Sequence, residues 1–135
     1  MTLIIVGPPQ SSYVRTVRMV CAEKGLAHRL EPVELGSDAH RKLHPWSRVP
    51  VLRDGAVEIY ETSAIVRYLE DTHPTPRLIP GEPVARARME QWISIEMCNF
   101  SPAAMKPIFH HVFHTPQDAA VLAAAVARFA AGARG

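Results

Sequence analysis

Leu3, Ile4, Ile5 and Val6 form an unbroken apolar run that stops at Gly7-Pro8-Pro9, the pattern of a short strand covered on both faces. The pattern then changes period. From Ser12 to Lys24 the apolar positions Val14, Val17, Val20 and Cys21 fall on one helical face, and Gly25 supplies a left-handed stop. His28 to Leu35 reads as a second strand, so the first third is βαβ, which in one sheet requires a right-handed crossover and a parallel pair. Val51–Arg53 and Ala56–Tyr60 flank Asp54-Gly55, a dipeptide suited to a tight hairpin, and add an antiparallel edge. Glu61 and Thr62 open a helix with the stripe Ala64, Ile65, Tyr68 and Leu69, which His73-Pro74 ends.

Residues 72–83, THPTPRLIPGEP, hold four prolines and a glycine, a composition that favours extended linker. Beyond it the period is helical throughout: Ala85, Met89, Trp92, Ile93 and Glu96 mark one helix over 84–100, and the alanine-rich stretch 118–131 marks another. The expected organisation is an α/β domain over 1–76 (βαβ-ββα, a mixed four-stranded sheet) and a short all-α part over 77–135.

Composition narrows the function. A net charge of +2 with scattered basic residues lacks the one-sided footprint that nucleic acid or an anionic membrane would select. Cys21 and Cys98 form no disulfide framework and no metal-knuckle spacing. No apolar run approaches the ~20 residues of a membrane span, and the N-terminus lacks the features of a signal peptide, so a cytoplasmic setting is expected. His110, His111 and His114 invite a metal reading, but no Cys, Asp or Glu lies within a turn or two and Pro107 and Pro116 confine any helix there; no metal site is expected. Ser11 and Ser12 stand where a strand gives way to a helix. A serine there serves as an N-cap, or its hydroxyl serves a ligand, and local statistics leave both open.

Four segments together are more specific: G-x-P-x-S-x-x-x-R at the first turn, AEKGL at the end of the first helix, HPWSRVPVLRDG before the hairpin and YETSAIVRYL entering the third helix. In order and spacing they resemble the soluble, serine-dependent glutathione transferases over residues 1 to about 95. The resemblance implies a thioredoxin-like first domain followed by helices, with glutathione as co-substrate and an electrophilic small molecule as its target. Carried onto this chain, it makes Ser11 the catalytic hydroxyl that donates to the glutathione sulfur, leaving Ser12 to cap the helix. Thr62 seats the γ-glutamyl carboxylate with Glu61 beside it. Val49-Pro50, with a cis bond, offers backbone to the cysteinyl part, while Arg48 and His40 fall where related enzymes contact the glycine carboxylate.

Glutathione presents a thiol, two carboxylates and an ammonium, so a site needs a thiolate stabiliser, two anion seats and an acidic group, and these residues supply each kind. The family's helical part is usually longer. The resemblance therefore implies apolar surface left uncovered around Trp92 and a homodimer that is weaker than a full-length relative's. Two other readings stay open: a non-catalytic interaction module of the same fold, and a thiol-disulfide oxidoreductase, which would want a cysteine where Ser11 stands.

Overall fold

A computed structural model describes residues 2–132; Met1 and residues 133–135, the outer ends of the two expected domains, lie outside the described residues. The chain divides into two compact units, Met1–Ile79 and Pro80–Gly135. In the first unit the order is β1 (Leu3–Val6), α1 (Ser12–Glu23), β2 (His28–Glu31), α2 (Asp38–Leu43), β3 (Val51–Asp54), β4 (Val57–Tyr60) and α3 (Thr62–Thr72). The sheet runs β2-β1-β3-β4, with β1 and β2 parallel and the other two pairs antiparallel, as the βαβ-ββα pattern requires.

Alternation along β1 assigns its side chains. Leu3 and Ile5 join Leu52 of β3, Val14, Val17 and Cys21 of α1 and Ile65 and Leu69 of α3 in one buried cluster. Val6 and Val51 point the other way and are equally buried, so the centre of the sheet is covered on both faces. That is why β1 is apolar without alternation. Burial also pushes the Cys21 thiol up to about 11, which keeps it protonated and unreactive.

Two parts of the first unit differ from expectation. The second strand stops at Glu31, and a six-residue helix, α2, fills part of the stretch before β3; it is too short to show a periodic stripe and is nucleated by Ser37, whose side chain accepts from the His40 N–H. The unit also extends through Ile79. Lys24, wholly buried, donates to Glu70 Oε2 at 2.6 Å and to the carbonyls of His73 and Pro76, each at 2.8 Å. Glu70 in turn accepts the N–H groups of Leu78 and Ile79. The proline-rich segment is therefore strapped onto α1 and α3.

The second unit is helical: α4 (Pro83–Ile95), a widened π turn (Glu96–Phe100), α5 (Ser101–His111) and α6 (Ala119–Gly132). Glu82 and Asp118 cap α4 and α6 through their carboxylates. Phe100 stacks obliquely on Phe129 at 4.8 Å, and Ala103 of α5 and Ala125 of α6 are buried. The expected single helix over 84–100 changes winding at Glu96, and α5 accommodates Pro107 within its length. Trp92 is 70% exposed, and Phe100, Phe109 and Val112 are exposed as well.

Candidate functional site

Strand register brings the candidate residues to one end of the sheet. Val6 pairs with Val51, and Val51 pairs with Tyr60, so the end of β1, the start of β3 and the end of β4 lie side by side. Ser11 follows the first, Val49-Pro50 precedes the second, and Glu61-Thr62 follow the third. Gly7 shows how closely the first two segments meet. Its φ is +142°, and a Cβ there would sit 2.7 Å from Val14 Cγ2 and 3.0 Å from Val49 Cβ, so only glycine fits. The Val49–Pro50 bond is cis, as the resemblance implied.

Ser11, and not Ser12, caps α1. Its Oγ accepts from the Val14 N–H at 3.4 Å, and Ser12 is the first helical residue, exposed, so the expected division of labour between the two serines is corrected. The physical reason is the backbone: Ser11 has extended angles while its carbonyl already accepts the first helical bond, from Arg15. Capping uses a lone pair of the oxygen and leaves the hydroxyl hydrogen free to donate, with no protein acceptor among the described residues. Cap and ligand contact are thus compatible in one residue.

At the third segment, α3 begins without a side-chain cap. Ile65 N–H bonds the Glu61 carbonyl, while the N–H groups of Thr62, Ser63 and Ala64 and the Thr62 hydroxyl have no protein partner among the described residues. Free N–H groups at the positive end of an eleven-residue helix form an anion seat. Glu61 stands at its rim with φ +71°, a conformation rare for a residue with a side chain. Its Oε1 lies 3.3 Å from His44 Nε2.

Arg48 is exposed, and its guanidinium has no protein partner among the described residues, which suits a carboxylate ligand. His40 differs from expectation. Its ring is fully buried, Nδ1 accepts the Gly36 N–H at 3.1 Å, and Nε2 lies 3.0 Å from the Arg48 carbonyl. With one nitrogen accepting, the other donates, and neither is left for a ligand. A direct contact with the glycine carboxylate is therefore corrected to a supporting position behind Arg48. Sequence reasoning missed His44, which is just as buried; the only available signal was its place one turn after His40, before the HPWSRVP turn. Among the described residues no group of His, Cys, Asp or Glu is placed to hold a metal ion, and His110, His111 and His114 form none. No described helix is long and apolar enough to cross a membrane.

The geometry agrees with comparison to known proteins. Residues 6–77 match the family described as glutathione S-transferase, N-terminal domain. A glutathione S-transferase of Silene vulgaris is 31% identical over 122 residues, covering 84% of this chain and 56% of the relative; one from Zea mays is 33% identical, covering 79% and 51%. The chain thus spans about half the length of these curated relatives. Among solved structures, the theta-class enzyme of Xanthomonas axonopodis pv. citri with glutathione bound superposes with a TM-score of 0.80 at 32% identity, covering 95% of this chain and 65% of that one. Poplar glutathione transferase F1 gives 0.87 at 24% identity, covering 99% and 67%, a likeness of fold. Matched over more than half of its length by the family's N-terminal domain, the chain belongs to the glutathione S-transferase family.

Proposed function

We propose that this chain binds glutathione at the sheet end described above and serves a transferase that conjugates the glutathione thiol to an electrophilic small molecule. The observation that carries the reading is the convergence of the uncapped α3 N-terminus, the Val49-Pro50 turn and the Ser11 hydroxyl at one end of the sheet. In this reading the α3 N–H groups and Thr62 hold the γ-glutamyl carboxylate, and Glu61 takes the adjacent ammonium. Val49 offers backbone to the cysteinyl unit, with Pro50 fixing the turn, while Arg48 meets the glycine carboxylate and His40 steadies its carbonyl. Ser11 donates its hydroxyl hydrogen to the sulfur at the positive end of α1, which favours thiolate over thiol. The thiolate then attacks the electrophilic carbon. A C–S bond forms, and the displaced electron pair leaves with the departing group or is protonated by solvent.

Several features of the reading come from the family: pairing as a homodimer, a detoxifying role and residence in the cytoplasm. Retention on immobilised glutathione, elution by free glutathione and conjugation of an activated aryl halide test it. Retention without turnover would favour the non-catalytic module, and no retention would reject both.

A further inference from the structure

His44 sits behind the candidate site and is held from several sides. Its backbone N–H bonds the His40 carbonyl at 2.9 Å, and its carbonyl accepts from Ser47 at 2.8 Å. In the ring, Nδ1 accepts the Trp46 N–H at 3.1 Å, which fixes the neutral tautomer with hydrogen on Nε2. Nε2 lies 3.3 Å from Glu61 Oε1, and the ring packs on Tyr60 with centroids 4.6 Å apart. The His44 side chain is 2% exposed and that of Glu61 is 43% exposed. One end of this bridge is thus fixed in the interior, and the other is open to solvent.

Glu61 needs such a hold. A left-handed backbone is unfavourable for a residue with a side chain unless its surroundings enforce it, and the Glu61 side chain accepts no α3 N–H that would do so. We propose that His44 is a positioning residue: by holding Glu61 Oε1 it leaves the second carboxylate oxygen for the ammonium of an α-amino acid whose carboxylate lies on the free α3 N–H groups. This rests on the proposed binding of glutathione, whose γ-glutamyl end is such a group, and it makes His44 the residue that sets selectivity for the α-ammonium.

The test separates the two contacts of the ring. His44→Asn retains an acceptor where Nδ1 stood but is too short to reach Glu61, whereas His44→Gln reaches Glu61 with a donor where Nε2 stood. Binding of glutathione and of its deaminated analogue, in which hydrogen replaces the α-amine, is measured by titration calorimetry for each variant. Wild type is expected to prefer glutathione by roughly 10-fold or more, the scale of one hydrogen bond to a charged group. His44→Asn should lose most of that preference while binding the analogue as wild type does, and His44→Gln should restore it. In the ligand-free chain, the amide resonances of Thr62 and Ser63 should move in His44→Asn and return in His44→Gln. Equal preference in wild type and His44→Asn, or no rescue by His44→Gln, overturns the proposal alone. Failure of wild type to bind either ligand overturns the glutathione reading and this proposal with it.

Discussion

Replacing Lys24 by methionine keeps the buried stem and removes the ammonium from the strap that ends the first unit. Three partners lose their donor: Glu70 Oε2 and the carbonyls of His73 and Pro76. His73 is half-buried and Pro76 exposed, so water replaces the ammonium at both carbonyls. Glu70 is only 8% exposed and keeps just the Leu78 and Ile79 N–H groups. Breaking a buried ion pair on one side costs about 3–5 kcal/mol, and the remaining backbone donors put Lys24→Met near the lower end, about 3 kcal/mol. With a urea slope of about 1–1.5 kcal/mol/M for so small a unit, the midpoint should fall by roughly 2–3 M. Trp46 fluorescence in a Trp92→Phe background reports the first unit, since these are the two tryptophans of the chain.

The pH dependence sharpens the test. Burial alone would raise the Glu70 carboxyl, but the Lys24, Ile79 and Leu78 hydrogen bonds together with the Lys24 charge outweigh it and hold it below its ordinary value. A depressed carboxyl stabilises the fold above the ordinary carboxylate range, and that stability is lost as pH falls through the folded value. In Lys24→Met burial dominates, Glu70 favours its protonated form, and acid relieves the defect. The gap between wild type and variant should therefore be widest near neutrality and close toward about pH 3. Midpoints that coincide at neutral pH, or a gap that widens in acid, would refute the reasoning.

Gly7→Ala should destabilise the first unit by about 3 kcal/mol through its clash with Val14 and Val49 and its left-handed backbone, and weaken glutathione binding because Val49 must move; calorimetry and urea unfolding check both. Thr62→Val removes a hydroxyl from the α3 anion seat and should raise the glutathione Kd by roughly 10-fold. Cys21 is fully buried with its thiol raised to about 11, while Cys98 is exposed, so an aromatic disulfide reagent should titrate one thiol in the native chain and two in denaturant.

Where burial and period coincide, the fold was legible in the sequence. The unbroken run of β1, the α1 stripe and the Asp54-Gly55 hairpin each report a local rule that tertiary structure did not override. The helix α2 was not legible because six residues span under two turns, and the strap was not because Lys24 and Glu70 look like ordinary charges until folding brings them together. In the site, the segments could be read and some of the atoms could not. Sequence motifs place residues at a sheet end, but which serine caps the helix depends on one residue's backbone angles, and whether His40 faces a ligand depends on which of two nearby turns buries it. His44 escaped notice for the same reason: its importance lies in two contacts to residues that the sequence leaves unpaired.

In the proposed function the Ser11 hydroxyl stabilises the thiolate of bound glutathione. The ultraviolet absorbance of the thiolate, titrated against pH in complexes of wild type, Ser11→Ala and Ser12→Ala, tests it most directly. An unperturbed cysteine thiol titrates near 8.5, and donors at a helix N-terminus lower it. Wild type and Ser12→Ala should show the bound thiol titrating one or more units below free glutathione. Ser11→Ala should return it toward the free value, with conjugation slowed roughly 10- to 1,000-fold and a cap loss of about 1 kcal/mol in stability. A bound thiol that titrates alike in wild type and Ser11→Ala, or one that shifts only in Ser12→Ala, would contradict the account.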